Sequence, residues 1–323
     1  QQGRRVVDVA CLYNEGAPLN FNCVDFALPS GYDYDLCSPE IIQRMSVEKG
    51  RIVLPTGVSY RCLIVMPNRL TLPAAQKIDE LRKAGARIFA KSPIRGTPGL
   101  TGYPEADNEV KNMAAQWTAF PGGGWKTIIA KDKWVPDFQG EGLKWIHRRT
   151  ADADIYFVAN TAYEAKSVEC RFRNKGRVPE LWCPERADRF LLDFDQADGR
   201  TRTRIEFGPA QSWFVVFKDK PTTRKTNPFT SWKAVREVKG PWRLNFDPEW
   251  GTNKTLDLNE LSCWSTNTDP LVKYYSGTAV YRNSFTLDKA LEGSVSLDLG
   301  KVEVMAHVFL NGKDCGIAWK APY

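Results

Sequence analysis

The sequence has little of what nucleophilic and metal-dependent enzymes use. Only two of its 323 residues are histidine, His147 and His307, so a Ser-His-Asp or Cys-His mechanism would have to use one of them. In both cases we favour a structural histidine within a strand. The eight cysteines form no Cys-x-x-Cys pair and have no histidine at zinc-ligand spacing. We therefore expect no metal site.

Membrane and nucleotide-binding features are missing as well. No stretch reaches the roughly 18 consecutive apolar residues of a membrane-spanning helix, and the first residues, QQGRRVVDVACLYN, lack the apolar core of a signal peptide. If the protein is exported, we expect its leader to lie outside this sequence. The loops at 67–73 and 91–100 follow predicted strands but hold no glycine-rich phosphate-binding motif. Nucleotide binding, or any other cofactor in this chain, is not expected.

The composition is otherwise that of an ordinary globular protein with an excess of aromatic residues. Lys and Arg exceed Asp and Glu by 45 − 38 = 7, a mild excess that does not predict nucleic-acid binding. Hydrophobic residues make up 42% and charged residues 26%, which excludes a disordered or collagen-like chain. Trp, Tyr and Phe together reach 12%, a level typical of β-sandwiches and sugar-binding surfaces.

The first part of the chain, 1–125, alternates strand and helix patterns. Its short apolar runs predict buried parallel strands at 6–13, 61–66 and 87–90. Helix starts are predicted from three residues: Ser38, Thr71 and Asp107. We interpret this part as an amidotransferase-like (flavodoxin-like) α/β domain. It is expected to be catalytically silent, because Cys62 lies inside a strand instead of on a tight strand-to-helix turn.

The rest of the chain has the period of two that is typical of antiparallel sheets. Short strands at even spacing predict a β-sandwich over 126–225: 143–147, 155–159, 167–172, 180–182, 190–194, 201–207 and 212–217. After a connector at 220–228, a second all-β domain is predicted over 226–323, with Asn311-Gly312 closing a hairpin. Too few strands follow to complete it. The predicted fold class is a multidomain chain, an α/β layer followed by two β-sandwich domains, the last incomplete.

Two features of the predicted sandwich allow more than one interpretation. Cys170 and Cys183 flank a polar turn and could form a disulfide across a hairpin, but we favour free, buried thiols. Arg200, Arg202 and Arg204 alternate with threonines and place their cations on one strand face. That face could bind an anionic ligand, but a solvated or edge-protecting strand is the favoured interpretation.

Several segments, in this order, resemble the C-terminal half of large bacterial α-L-rhamnosidase-type glycoside hydrolases, and together they span nearly the whole chain. Two lie in the α/β layer: GYDYDLCSPEII (31–42) and LPTGVSYRCLIVMP (54–67). The others lie in the predicted β-domains: KWIHRRTADADIYFVANTA (144–162), CRFRNKGRVPELWCPE (170–185), KYYSGTAVYRNSF (273–285) and LDLGKVEVMAHVFLNGKDCGIAWKAPY (297–323). The last segment also resembles the galactose-binding-like jelly-roll domains of β-galactosidase-type hydrolases, which implies that 226–323 is an incomplete domain of that kind.

The resemblance implies that this chain is the accessory half of an exported glycoside hydrolase that acts on rhamnose-containing or related polysaccharide. In such enzymes the catalytic carboxylates and an associated calcium site belong to a (β/α)8 barrel N-terminal to the matched region. The implied partners are carbohydrate and that barrel, in the same polypeptide. A periplasmic, cell-surface or secreted location in a polysaccharide-degrading bacterium of the Bacteroidetes type is implied as well.

No catalytic residue is carried over from the resemblance, and the residues themselves single out no glycosidase pair. A glycosidase needs two carboxyl groups about 5 to 9.5 Å apart. Asp33 and Asp35 come closest, since a spacing of two places both on one face of a strand. We favour the simpler interpretation that they belong to a turn leading into the helix at Ser38.

A second function, from a different class, is that of a stand-alone carbohydrate-binding protein. Its candidate sugar-stacking rings and hydrogen-bonding side chains are Trp264, Tyr274, Tyr275, Trp319, Asn311 and Asp314. For each ring we favour a place in the core or at a domain interface over stacking. A third function, binding of nucleic acid or anions through the basic excess, has no motif to support it.

The incomplete last domain generates a prediction about association. We expect the purified chain to expose an apolar strand edge near its C-terminal end and to associate, because an uncovered edge presents unpaired backbone groups. Sedimentation velocity over a concentration series should show concentration-dependent oligomers. A monomer at every concentration, with cooperative unfolding, would contradict the interpretation of an incomplete domain.

Overall fold

The computed structural model describes residues 2–13, 28–185, 188–223, 233–287, 289, 295–320 and 323. The regular secondary structure of these residues is mostly strand, in several sheets, with few helices. Cys23 and the end of the predicted connector at 220–228 lie outside the described residues. Backbone contacts divide the chain into two units, Gln1–Phe229 with Gly300–Tyr323, and Thr230–Leu299. The first unit therefore contains both the predicted α/β layer and the predicted first sandwich.

The N-terminal part of the first unit is an α/β layer. Its elements are Arg4–Arg5 (β1), Val9–Leu12 (β2), Tyr34–Cys37 (β3), Pro39–Gln43 (α1), Ser46–Glu48 (β4), Arg51–Val53 (β5), Ser59–Tyr60 (β6), Cys62–Val65 (β7), Leu72–Lys83 (α2), Ile88–Ala90 (β8), Glu105–Ala114 (α3), Thr118–Ala119 (β9) and Gly124–Lys131 (α4). A 5-stranded sheet has the order β3-β2-β7-β8-β9, and its strands are parallel. The predicted strands and helices of this part are present. Four further elements, β3, β4, β9 and α4, are not predicted from the sequence; the N-cap residue of α4, Gly123, has no capping side chain that would indicate a helix start. The favoured interpretation of Asp33 and Asp35 as part of a turn is wrong for Asp35, which lies in β3.

The parallel sheet is covered on both faces because β2 and β7 are apolar at every position. Val9 and Cys11 lie in one apolar cluster with Trp125 of α4. Leu12 lies in another cluster with Ile78 of α2. Each fully buried aliphatic side chain of this kind contributes about 1.5–3 kcal/mol to stability.

The second part of the first unit is a two-sheet antiparallel sandwich. Its strands are Phe138–Gln139 (β10), Leu143–Arg149 (β11), Ala153–Asn160 (β12), Lys166–Phe172 (β13), Val178–Trp182 (β14), Arg189–Leu191 (β15), Asp195–Ala197 (β16), Arg200–Phe207 (β17) and Ser212–Lys218 (β18). The 6-stranded sheet has the order β1-β11-β12-β18-β14-β15 and the 4-stranded sheet the order β10-β13-β17-β16. Tyr156 and Phe217 of one sheet share an apolar cluster with Phe172 and Ile205 of the other. Every strand predicted between 143 and 217 overlaps an observed one.

The first strand of the chain belongs to the sandwich. β1 pairs antiparallel with β11, Arg4 opposite Arg149 and Arg5 opposite Arg148. The Val6 amide then donates to the His147 carbonyl at 3.0 Å before the chain enters β2. The sequence predicts one buried strand over 6–13, so this change of sheet is not foreseen. It makes the N-terminal strand a backbone link between the sandwich and the parallel sheet.

The idea of a hairpin between Cys170 and Cys183 is wrong, because β13 and β14 lie in different sheets. Both thiols are free and buried, which is the interpretation we favoured.

The arginine stripe of β17 lies on the outer face of its sheet. There Arg202 pairs with Asp195 at 2.7 Å, and Arg204 lies opposite Glu169 in the register. Neighbouring carboxylates thus balance the stripe, as expected for a solvated strand.

The second unit is built around a small antiparallel sheet. Its elements are Trp242–Phe246 (β19), Thr255–Leu258 (β20), Pro270–Lys273 (α5) and Ala279–Arg282 (β21), with 3-10 helices at Pro248–Trp250 and Trp264–Thr266. The strand order is β20-β19-β21. Its core consists of Leu244, Phe246, Val272 and Tyr275.

The C-terminal segment contains the predicted tight hairpin. Ala306–Leu310 (β22) and Lys313–Ala318 (β23) pair antiparallel, and Asn311 and Gly312 adopt φ values of 52° and 76°, as a two-residue turn of this kind requires. The alternation of Val295, Leu297 and Leu299 predicts a strand whose apolar side chains face inward, and this prediction is wrong. The structure assigns no strand to these described residues, and Val295 is 63% exposed, because no neighbouring strand pairs with the segment. Within the described ranges, no helix is long and apolar enough to cross a membrane.

Candidate functional site

A buried cluster of charged side chains lies where the sandwich meets the parallel-sheet layer. His147 of β11 is its centre: Nδ1 lies 2.8 Å from Asp137 Oδ2 and Nε2 lies 2.9 Å from Asp154 Oδ1. The imidazole is 1% exposed and stacks on Tyr156 with ring centroids 3.9 Å apart. Since each ring nitrogen faces a carboxylate, both donate when the imidazole is doubly protonated.

The register of β11 and β12 positions these residues. His147 lies opposite Tyr156, and Arg149 lies opposite Asp154. Because alternate residues of a strand share a face, Asp154 and Tyr156 both lie on the side of the sheet that carries His147. Asp137 lies one residue before β10, a strand of the other sheet. The cluster therefore crosses the sandwich core at one end.

Each carboxylate has further donors. Asp154 Oδ2 accepts hydrogen bonds from Asn174 Nδ2 and Arg177 Nη1, both at 3.0 Å, and Arg149 pairs with Oδ1 of the same carboxylate. Asp137 Oδ1 accepts a hydrogen bond from the Tyr156 hydroxyl at 2.8 Å. The two carboxylates are thus satisfied as anions, which a buried charge requires.

The cluster continues into the α/β layer through Arg173. Its Nε lies 3.5 Å from Asp137 Oδ1, and its Nη1 donates to Asp8 Oδ1 at 2.8 Å and to the Val135 carbonyl at 2.9 Å. Asp8, one residue before β2 and 1% exposed, also pairs with Arg61 Nε at 3.0 Å. A continuous line of charges therefore connects His147 in the sandwich to Arg61 in the layer.

These contacts shift the protonation equilibria. Burial alone would lower the pKa of His147, but its hydrogen bonds to Asp137 and Asp154 outweigh burial and raise it. Burial would raise the pKa of both carboxylates, yet the hydrogen bonds from His147 lower that of Asp137, and those from His147 and Arg149 lower that of Asp154 to about 2. For Asp8, burial outweighs Arg173 and Arg61 and raises the pKa.

The chemistry of this cluster suits a structural role and not a catalytic one. A histidine whose protonated form two anions stabilise is a poor general base near neutral pH, and at 1% exposure it contacts no substrate. The favoured interpretation of His147 as a structural histidine fits this geometry. His307 is half-exposed, and its Nε2 lies 2.9 Å from Asp314 Oδ1.

The other candidate catalytic residues of the α/β layer are also unsuited to catalysis. Arg5 binds both Asp33 and Asp35, each at 2.8 Å. One guanidinium thus bridges the two carboxylates, whereas a glycosidase places the sugar between its pair. Burial raises the pKa of the Cys62 thiol to about 12, which keeps it protonated and unreactive at neutral pH.

The predicted sugar-binding aromatics of the second unit fall into two settings. Trp264 and Tyr275 pack with Phe246: the ring centroids of Tyr275 and Phe246 are 4.8 Å apart, and Trp264 Nε1 donates to the Tyr275 carbonyl at 3.2 Å. Tyr275 is 7% exposed, so it has no ring face for a ligand. Tyr274 is 75% exposed, but Lys273 Nζ lies 5.5 Å from its ring centroid.

The remaining candidates lie on the C-terminal hairpin. Asn311 forms its turn, and Asp314 Oδ1 accepts a hydrogen bond from the Gly316 amide at 2.7 Å. Both residues thereby have a role in shaping the turn. Trp319, just after β23, is 59% exposed. The structure thus groups Asn311 with Asp314, and Trp264 with Tyr275.

Two cavities border the described residues. One of about 310 Å³ in the second unit is lined by Leu244, Leu256, Leu258 and the segment 262–268, which includes Trp264. The other, about 410 Å³, opens at the carboxyl ends of β8 and β9, between Lys91, Phe120 and the first turn of α4. In the part of the chain that the structure describes, no group of three His, Cys, Asp or Glu side chains could hold a metal ion.

Sequence reasoning missed the carboxylates of the buried cluster. Asp154 carried a usable signal, because it directly precedes the predicted strand 155–159, and a strand that began one residue earlier would place it on the same face as Tyr156. Asp137, Asp8 and Arg173 carried none, since their meeting depends on how the layer and the sandwich pack. Long-range contacts of this kind have no local periodicity.

The cluster predicts a loss of stability on the alkaline side. The folded pKa of His147 lies above its unfolded value of about 6.5, so its contribution is complete below that pH and is lost as pH rises through the folded pKa. In that window the free energy of unfolding should fall by about 1.4 kcal/mol per pH unit. The lowered pKa values of Asp137 and Asp154 place a second loss at acid pH, toward about 2 for Asp154. Urea unfolding from pH 3 to 10 measures both limbs.

Two variants identify the group responsible. His147→Gln should lose about 3–5 kcal/mol at pH 6, because it leaves two buried carboxylates without their cation, and its alkaline limb should be flatter. His307→Gln removes an exposed histidine that also pairs with an aspartate, so it is the matched control and should change little. An unchanged alkaline limb in His147→Gln would contradict the assignment.

Comparison with known proteins identifies the family of the chain. A family model described as α-L-rhamnosidase, of the glycoside hydrolases, matches residues 1–195, more than half of the chain. The solved structure of a rhamnosidase from Novosphingobium sp. PP1Y is similar over 99% of this chain and 33% of its own, with 27% identity and a TM-score of 0.81. A Formosa agariphila protein that bears the name of a β-glucuronidase is 30% identical over 237 residues, 68% of this chain and 20% of its own.

The chain therefore spans a third of the length of the solved rhamnosidase and a fifth of the Formosa protein. The segments that resemble α-L-rhamnosidases at 31–42, 54–67 and 144–162 all lie within the part that the family model matches. This chain belongs to the α-L-rhamnosidase family of glycoside hydrolases.

Proposed function

We propose that this chain is the accessory, non-catalytic part of an α-L-rhamnosidase-type glycoside hydrolase. The catalytic carboxylates then lie outside it, in a barrel domain of the same polypeptide. The observation that carries the proposal concerns the one candidate catalytic pair in this chain. Asp33 and Asp35 both form ion pairs with the guanidinium of Arg5. The coverage of only a third of the solved rhamnosidase supports it.

The buried carboxylates point the same way. Asp137 and Asp154 flank His147, and Asp8 pairs with Arg61 and Arg173. Each is 4% exposed or less. A general acid must reach the glycosidic oxygen with a proton to give, and these groups reach only protein.

The role that remains is mechanical support of the catalytic domain. The proposal also includes the finer fold, the substrate and the location. The layer is amidotransferase-like, the last domain is an incomplete jelly roll, and the substrate is rhamnose-containing or related polysaccharide. The location is periplasmic, on the cell surface or secreted. The rigid link between sandwich and layer suits a support, because a catalytic domain is held in place only by parts that keep their own geometry.

Hydrolysis of 4-nitrophenyl α-L-rhamnopyranoside tests the proposal. The purified chain should release no nitrophenol above the buffer rate. In the full-length enzyme, Asp33→Asn with Asp35→Asn should keep kcat within about twofold, whereas removal of a catalytic acid costs about 10²–10⁴. Circular dichroism shows whether the variant is folded.

Two results would overturn the proposal. One is hydrolysis by this chain alone that the paired substitution abolishes. The other is an upstream coding region too short for a barrel of several hundred residues.

A further inference from the structure

The second unit leaves one large indole in solvent on a rigid turn. Trp250 is 60% exposed and ends the 3-10 helix that begins at Pro248. Asp247 Oδ1 accepts a hydrogen bond from the Glu249 amide at 3.1 Å and so caps this turn. Gly251 follows with a φ of 109°, a conformation that favours glycine. The backbone under the indole therefore has one well-defined conformation.

The loop after α5 supports the ring from one side. A Cβ atom at Gly277 would lie 2.7 Å from Trp250 Cγ, so the indole approaches as closely as it does because this residue is glycine. The Tyr275 hydroxyl connects the loop to the turn: it donates to the Thr278 carbonyl at 2.8 Å and accepts from the Asp247 amide at 3.1 Å. The ring is fixed by its support and open on its remaining surface.

We propose that Trp250 is a sugar-stacking platform whose ligand is a neutral pyranose of a glycan chain. The face of an indole is the negative part of its quadrupole and attracts the weakly positive C–H groups on the apolar face of a pyranose. A ring that is already ordered loses little conformational entropy when a ligand covers it. This site goes beyond the accessory role and holds or fails independently of any barrel.

The residues around Trp250 define the ligand further. Four exposed polar residues could supply hydrogen-bonding groups for sugar hydroxyls. Two are close to Trp250 in the chain, Glu249 and Asn253, and two belong to the loop that supports the ring, Ser276 and Thr278. The Glu249 carboxylate directly precedes the indole in the chain and repels anionic sugars such as uronates or sulfated residues. The site therefore favours uncharged sugars.

The other aromatics of this unit do not offer the same platform. Trp264 and Tyr275 are committed to the core with Phe246, and Lys273 lies over the Tyr274 ring. Trp319 matches Trp250 in exposure, 59% against 60%, but lies after the C-terminal hairpin. It is thus a control residue for any effect of merely removing an exposed indole.

Calorimetric titration of the whole chain with rhamnose-containing and galactose-containing oligosaccharides, and with oligogalacturonate as an anionic probe, tests the site. We expect saturable heat with at least one neutral oligosaccharide and weaker binding of oligogalacturonate. Trp250→Ala should weaken binding at least about tenfold, since stacking is lost. Trp250→Phe should retain part of it, and Trp319→Ala should bind as the parent does.

A second variant keeps the indole but moves it. Gly277→Ala places a methyl group where the ring lies, so it should also weaken binding while intrinsic fluorescence confirms that the chain is folded. Flat titrations of the parent up to millimolar sugar would overturn the proposal. So would equal affinity in Trp250→Ala and the parent, or a loss confined to Trp319→Ala.

Discussion

The first unit depends on a histidine held between two buried carboxylates, whose hydrogen bonds raise its pKa. Burying any of the three charges alone would cost several kcal/mol, and the structure avoids that cost by giving each a partner. His147 bonds both Asp137 and Asp154, and the remaining oxygens find Tyr156, Asn174 and arginine donors. Such a group stabilises one packing arrangement, because every alternative leaves a charge unpaired.

The same group explains how two dissimilar parts form one unit. Arg173 carries the charge network from Asp137 to Asp8, which sits at the start of β2. The backbone makes a second connection. β1 pairs with β11 of the sandwich, and the chain then runs directly into the parallel sheet. Together they orient the α/β layer against the sandwich. For the supporting role that we propose, a fixed orientation is the property that matters.

Much of the fold could be predicted because it follows from local periodicity. The apolar runs of β2 and β7, the alternation through β11 to β18, and the Asn311-Gly312 turn are all visible in the sequence. The failures involve contacts between distant segments. β1 joins the sandwich, and β13 and β14 lie in different sheets. The chemistry of the buried cluster was invisible for the same reason, since Asp8 and Arg173 are 165 positions apart.

The most direct test of this account is the coupling free energy between Asp8 and Arg173. It is measured by urea unfolding of the parent, Asp8→Asn, Arg173→Gln and the double variant at pH 7. If the charge network joins the layer to the sandwich, the two substitutions should be non-additive by about 1–3 kcal/mol. Additivity within about 0.5 kcal/mol would contradict it, because the two parts would then be held together by something other than these charges.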